Sequence, residues 1–129
     1  MGIKSALSKV FASFVVKGIN KWKYNAVAAQ ERTLQYLVSE AKYTVFGKDH
    51  EFSAIRDYED FKAKVPLRDY EDLRPYVDRV VAGEPDILWK AKPQYFAKTS
   101  GTTSGVKYIP ISKESMPEHI KAARNALLT

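Results

Sequence analysis

The sequence has 129 residues, enough for one domain that buries about two-thirds of the surface its unfolded chain exposes. Hydrophobic residues at 45% and charged residues at 28% are ordinary for a globular protein, and the absence of cysteine excludes disulfide and thiolate chemistry. The net charge of +6 comes mainly from a lysine cluster before Glu31 and not from a basic stripe with stacking aromatic residues. We therefore expect a cytoplasmic protein with no nucleic-acid partner.

A helix is predicted over residues 3–22, where apolar residues recur at steps of three and four. These residues are Ile3, Leu7, Val10, Phe11, Phe14, Val15, Ile19 and Trp22. The lysines between them are compatible with a helix that lies on an anionic membrane. They are also compatible with a helix that packs on protein and keeps its lysines in solvent, and we favour this second interpretation over membrane contact.

A second helix is predicted from about residue 25 to residue 43, because apolar residues give it one face and helix-forming residues surround them. Residues 46–50, Phe-Gly-Lys-Asp-His, are typical of a helix stop followed by a loop. The two histidines, His50 and His119, are too far apart in sequence to show metal-ligand spacing. We predict no metal site built by the protein itself.

A short internal repeat follows, in which residues 55–61 (IRDYEDF) are nearly repeated as residues 67–73 (LRDYEDL). Its acids could form an acid–base pair or a cation site, but they lack the alternating spacing of a calcium loop. Asp57 and Asp69 are better explained as N-caps of two helices, because acids suit the first helical turn. We predict these helices near 58–64 and 70–82, with Gly83 ending the second.

The most informative stretch is residues 95–111, which is predicted to form a strand, a loop and a second strand. A C-terminal helix is predicted after it. The expected fold class is therefore α+β, with a mostly helical part over residues 1–92. Residues 93–129 then form a strand, a phosphate loop, a strand and a helix, and the whole is part of a larger α/β adenylate-forming domain.

The loop between the two strands has the composition of an anion site. Its glycines allow positive φ and close approach, its hydroxyl groups donate hydrogen bonds, and a lysine follows. The residues are Ser100, Gly101, Thr102, Thr103, Ser104, Gly105 and Lys107. Their spacing matches neither a Walker A loop nor a dinucleotide fingerprint. An ordinary hairpin with a polar loop has a similar composition, so residue types alone leave both interpretations open.

The order of the residues is more specific than their types. Residues 99–107, TSGTTSGVK, resemble the phosphate loop of adenylate-forming enzymes. The preceding segment, VPLRDYEDLRPYV at residues 65–77 followed by Gly83-Glu84 and by residues 86–88 (DIL), is similar to the approach to that loop in one branch. That branch is the Gretchen Hagen family of acyl acid–amido synthetases. The resemblance covers roughly residues 27 to 128.

The resemblance implies a reaction in two halves, in which a small carboxylic acid is activated by ATP as an acyl-adenylate and then joined to an amine, usually that of an amino acid. By the same resemblance the loop lines the ATP phosphates, through Ser100, Gly101, Thr102, Thr103, Ser104 and Gly105. Lys107 matches the basic residue after the loop. Mg²⁺ would be held with ATP and by acids outside this span, so the implied cofactors are ATP and Mg²⁺.

Two features limit what the resemblance implies. The loop reads TSGTTSG where plant members often carry SSGTS, which leaves an amide, a thioester or another product open. Family members also run to several hundred residues, so we expect the N-terminal part of one domain, which needs the remainder of its own chain for activity and contains no assignable catalytic residue. The alternative is a stand-alone helical binding module whose loop binds a nucleotide or anion without catalysis.

Overall fold

A computed structural model describes the backbone of residues 3–99 and 105–128. Predicted phosphate-loop residues Ser100, Gly101, Thr102, Thr103 and Ser104 lie outside the described residues, as do the side chains of residues 3–6, 22 and 128. The helices are α1 (Ile3–Lys23), α2 (Ala26–Ala41), α3 (Val45–Asp49), α4 (Tyr58–Lys64), α5 (Tyr70–Val81) and α6 (Ser115–Leu128), with a 3₁₀ turn at Phe52–Ala54. The strands are β1 (Tyr95–Thr99) and β2 (Lys107–Ile111). The predicted fold, mostly helical with one hairpin and a C-terminal helix, is confirmed.

The chain divides into two compact units. The first comprises Met1–Gln30 and Glu114–Thr129, and the second comprises Glu31–Lys113. Within the first unit α1 packs against α6, and Val15 is buried. None of the described helices is long and apolar enough to cross a membrane.

The core of the second unit is a cluster of four buried side chains, Val38, Ala41, Phe52 and Ile55. They come from the second half of α2, from the 3₁₀ turn that follows α3, and from the residue directly after that turn. Further apolar side chains pack around this cluster, namely Leu34, Phe46, Phe61, Val65 and Trp89. Of the apolar face predicted for the second helix, Leu34, Val38 and Ala41 belong to one side of this core, whereas Val27 and Leu37 are exposed.

Residues 46–50 correct the sequence-based expectation of a helix stop and loop. Most of them lie in the short helix α3, whose N-cap Thr44 accepts a hydrogen bond from the Gly47 amide at 3.0 Å. Thr44 is buried, and its hydroxyl donates to the Ala41 carbonyl at 2.7 Å. A Cβ atom at Gly47 would lie 2.1 Å from the same carbonyl oxygen. Gly47 therefore permits close backbone packing inside a helix and does not terminate one.

The two copies of the internal repeat form the starts of α4 and α5, as predicted. Asp57 caps α4 by accepting a hydrogen bond from the Asp60 amide at 2.9 Å. Asp69 caps α5 in a reciprocal capping box with Asp72, with the two N–H to carboxylate distances at 3.0 and 3.3 Å. Gly83 follows α5 with a φ of +90°, a conformation that glycine adopts without steric cost. These acids cap helices, as the sequence indicated.

The segment between α5 and the hairpin is fixed to the core through Ile87, which is 2% exposed. The Asp86 and Ile87 carbonyls accept hydrogen bonds from the Val45 and Phe46 amides at 2.8 and 3.0 Å. The Asp86 carboxylate accepts from the Ala91 amide at 2.7 Å, which closes the turn. The apolar packing predicted for residues 87–89 therefore holds for Ile87 and for Trp89, which packs against the core cluster.

Candidate functional site

The predicted phosphate loop connects the two strands of an antiparallel hairpin. The register pairs Tyr95 with Ile111 at one end and Thr99 with Lys107 at the other, so this last pair closes the loop. Successive side chains in a strand point to opposite faces. Thr99 and Lys107 therefore share one face, and Lys98 and Tyr108 share the other.

Two of the seven predicted loop residues, Gly105 and Lys107, lie in the described part of the chain. Gly105 has a φ of +80°, and no heavy atom lies within 4 Å of the position that a Cβ would occupy. The requirement for glycine there comes from the backbone conformation and not from crowding. Lys107 is half-buried at the first position of β2. This positive φ is compatible with the prediction that Gly105 lets the backbone turn sharply just before β2.

Sequence analysis missed one residue that contacts the end of this loop. Tyr70, the first residue of α5, brings its hydroxyl to the backbone of Tyr108 in β2. The hydroxyl accepts a hydrogen bond from the Tyr108 amide at 2.8 Å and lies 3.3 Å from the Tyr108 carbonyl, to which it donates. The signal in the sequence was the tyrosine of the internal repeat, but nothing local indicates a contact 38 residues further along the chain.

The ring of Tyr70 also lies beside two cationic groups. Lys107 Nζ is 5.1 Å from the ring centroid, and Arg74 Cζ is 5.7 Å from it. Both distances are within the range of a cation–π interaction. Arg74 donates to the Glu71 carboxylate at 2.9 Å, and this hydrogen bond raises the pKa of the Arg74 guanidinium. Among residues 3–99 and 105–128, no carboxylate lies within ion-pair distance of Lys107.

A pocket of about 130 Å³ lies near the base of the hairpin. Its wall is mostly apolar and includes Val80 from α5, Ile87 and Trp89 from the connecting segment, and Pro110 from β2.

Within the described residues, no group of three or more histidine, aspartate or glutamate side chains is arranged to hold a metal ion. The group at the end of the loop that suits an anionic ligand is the Lys107 ammonium, and the Tyr70 ring lies beside this cation.

Residues 15–129 match the GH3 family N-terminal domain. The chain is 41% identical over 66 residues to the indole-3-acetic acid-amido synthetase GH3.15 of Arabidopsis thaliana, an alignment that covers 50% of this chain and 11% of that protein. It is 29% identical over 102 residues to the jasmonoyl–L-amino acid synthetase GH3.3 of Oryza sativa subsp. japonica, which covers 78% of this chain and 22% of that protein.

The fold is also similar to a solved structure, that of the AtGH3.15 acyl acid amido synthetase in complex with 2,4-DB. The TM-score is 0.81 at 24% sequence identity, over 91% of this chain and 21% of the other. The chain therefore spans about a fifth or less of the length of these relatives. The family match extends through α2, the repeat, the hairpin and α6. This chain therefore belongs to the GH3 family, which is the Gretchen Hagen family that its sequence resembles, and it matches the N-terminal domain of that family.

Proposed function

We propose that this chain is the N-terminal part of one adenylate-forming domain in an ATP-dependent acyl acid–amido synthetase. Residues 1–92 supply its helical segment, and residues 93–129 supply the strand, phosphate loop, strand and helix. The observation that carries the proposal is the family match over residues 15–129, which includes the hairpin that bears the loop. The position of Lys107, which closes that loop opposite Thr99, supports the same function.

In the proposed first half-reaction, a carboxylate oxygen of the acid attacks the α-phosphorus of ATP. The new O–P bond forms as the bond to the bridging oxygen breaks, and pyrophosphate leaves with the electron pair. Negative charge grows on the leaving pyrophosphate, so fixed donors around it stabilise the transition state. Hydrogen bonds to charged groups contribute about 1.5–3 kcal/mol each, and two or three of them are enough to matter.

The loop residues Ser100, Gly101, Thr102, Thr103, Ser104 and Gly105 are proposed to line the phosphates with N–H and hydroxyl donors. Lys107 is proposed to supply the positive charge. Its half-buried position supports this role, because charge interactions are stronger where water is partly excluded. Mg²⁺ would arrive with ATP and be held by acids outside this span, and it would neutralise phosphate charge.

In the proposed second half-reaction, an amine nitrogen attacks the acyl carbonyl carbon, the bond to AMP breaks, and the nitrogen loses a proton. The names of the relatives support an amide product, because they describe conjugation of indole-3-acetic acid and of a jasmonoyl group to amines. We propose a small carboxylic acid and an amino acid as the substrate classes.

We also propose a cytoplasmic location. The chain contains no cysteine, so nothing in it calls for an oxidising compartment in which disulfides form.

We propose that the remainder of a longer chain packs on α1. Large apolar side chains are exposed along this helix, including Leu7 at 65% and Phe14 at 67%. A contiguous apolar face of this kind marks an interaction surface. The much greater length of the relatives is compatible with this covering, and we favour it over contact with a membrane.

Product identification tests this function. The longest polypeptide that the gene encodes is incubated with ATP, Mg²⁺, a panel of small aromatic and aliphatic acids, and a mixture of amino acids. The proposal predicts AMP together with an amide of one acid, detected by mass spectrometry, and neither compound when the acid is omitted. A folded protein that binds ATP but forms no AMP with any acid would instead indicate a binding module.

A further inference from the structure

The internal repeat places two tyrosines in equivalent positions, and within the described part of the hairpin only Tyr70 makes a contact. Tyr58 is the first residue of α4 and is 60% exposed, with Lys62 Nζ 4.9 Å from its ring centroid. Tyr70 is the first residue of α5, with Arg74 in the corresponding local position. Tyr70 alone adds the contacts to Lys107 and Tyr108 in β2.

The contacts of Tyr70 have two chemically separable parts. Its ring presents a negative π face to the Lys107 ammonium, and this attraction needs no hydroxyl group. Its hydroxyl satisfies the N–H and C=O groups of Tyr108, which is the residue next to Lys107. A lysine side chain has a flexible four-carbon stem, so an attractive ring narrows the positions that the ammonium can occupy.

We propose that Tyr70 is a positioning residue for Lys107, because its ring orients the Lys107 ammonium and its hydroxyl holds the open edge of β2 at the neighbouring residue. The kinetic part of this inference rests on the proposed function, because it assumes that Lys107 binds the phosphates of ATP. The geometric part does not depend on that function. In this proposal Tyr70 acts through Lys107 and is not a catalytic residue.

Two substitutions separate the ring from the hydroxyl. Tyr70→Phe keeps the ring and removes the hydroxyl, whereas Tyr70→Leu removes both. A cation–π contact at a partly exposed site corresponds to about a two- to fivefold change in an equilibrium constant. We expect Tyr70→Leu to raise KM for ATP by that factor and to leave KM for the carboxylic acid unchanged. Tyr70→Phe is expected to change KM for ATP by less than about twofold, because the ring remains.

The repeat supplies the matched control. Tyr58→Leu removes a ring with the same local sequence and the same kind of lysine contact, but without a contact to the hairpin. It is expected to leave KM for ATP unchanged. In a double-mutant cycle that steps from Tyr70→Phe to Tyr70→Leu, only the ring changes, and its removal should add no further loss of ATP affinity to Lys107→Ala, because the ring acts only through that lysine. Additive losses would overturn the assignment.

A spectroscopic measurement tests the geometry without any enzymatic activity. The protein is labelled with ¹³Cε-lysine, and the Lys107 signal is assigned from its absence in Lys107→Ala. In the wild-type protein the ring current of Tyr70 should shield the Lys107 ε protons relative to those of Lys98, which lies on the other face of the hairpin. This shielding should persist in Tyr70→Phe and vanish in Tyr70→Leu. Exchange of the Tyr108 amide should become faster in Tyr70→Phe.

The outcomes distinguish a failure of this inference from a failure of the proposed function. Shielding that follows the ring, in a protein that adenylates no acid, would retain the geometric assignment and reject the function. A wild-type Lys107 signal without shielding would overturn the assignment directly, even if Tyr70→Leu fails to fold. Equal losses of ATP affinity in Tyr70→Phe and Tyr70→Leu would also overturn it, because only the hydroxyl would then matter.

Discussion

The hydroxyl of Tyr70 lies 2.8 Å from the backbone nitrogen of Tyr108 and accepts its hydrogen bond. This contact ties the first turn of α5 to the open edge of the hairpin, where strand N–H and C=O groups would otherwise lack a partner in the sheet. The backbone nitrogen of Pro110, two residues beyond Tyr108, faces the same open edge of β2. Proline has no N–H group, and at this edge no partner strand requires one. The sheet therefore loses no ladder hydrogen bond to this proline.

Gly47 is predicted to be essential for packing α3 against the end of α2. Gly47→Ala would place a Cβ 2.1 Å from the Ala41 carbonyl oxygen, and the backbone must move to relieve the contact. We expect a loss of about 1–3 kcal/mol in the free energy of unfolding, measured by urea denaturation. Gly18→Ala in α1 is the control, because nothing lies within 4 Å of its added Cβ. This control should gain about 0.5–1 kcal/mol, and equal effects at both positions would refute the packing argument.

The capping box of α5 is expected to stabilise the helix that carries Tyr70. Asp69→Ala removes the acceptor of the Asp72 amide and should cost about 1 kcal/mol of unfolding free energy. Asp69→Asn keeps an acceptor oxygen and should cost only a few tenths of that amount. Urea denaturation of the two variants measures the difference. Equal losses would show that the negative charge matters and that the cap does not.

Ile87 is expected to anchor the segment that leads into β1. Ile87→Ala removes a side chain that is 2% exposed and should lower the free energy of unfolding by about 2–5 kcal/mol. Leu67→Ala removes an apolar side chain that is 102% exposed and should change it by less than about 0.5 kcal/mol. Thermal or urea denaturation compares the two. A small effect at Ile87 would contradict its role in the core.

Stability is expected to fall in acid partly through Asp60. Hydrogen bonds from the Arg56 side chain and amide lower the pKa of the Asp60 carboxyl below its ordinary value of 3.8. A lowered folded-state pKa means that the stabilisation is present above the ordinary value and is lost as the pH falls through the folded pKa. Asp60→Asn should therefore flatten the decline of unfolding free energy as the pH falls below the ordinary value of 3.8. Parallel pH profiles for the variant and the wild type would contradict this contribution.

Local sequence signals were sufficient for most elements of this fold. The acids at Asp57 and Asp69 mark helix starts because their side chains satisfy amides three residues later, and both interactions lie within a few residues of the chain. The strands on either side of the loop were equally readable from their aromatic and β-branched residues. Such elements depend on neighbours in sequence, so the pattern alone indicates where they begin and end.

Two features depend on tertiary contacts and were not readable in the same way. Gly47 has the composition signal of a helix stop, yet its role is set by the approach of the Ala41 carbonyl. Tyr70 is the tyrosine of a repeated motif, yet its contacts with Lys107 and Tyr108 depend on how α5 packs beside β2. The resemblance to a family identified the loop, and only the structure adds Tyr70, which lies against Lys107 at its end.

Carboxylate-dependent exchange between ATP and labelled pyrophosphate tests the central claim most directly, because it reports reversible formation of an acyl-adenylate. The longest polypeptide that the gene encodes is compared with Lys107→Ala and with Lys98→Ala, an exposed lysine on the other face of the same hairpin. We predict exchange with one acid class, lost by at least about tenfold in Lys107→Ala, as expected for one charge-assisted contact, and retained in Lys98→Ala. Exchange that is unchanged in Lys107→Ala, or absent with every acid in a folded protein, would contradict the claim.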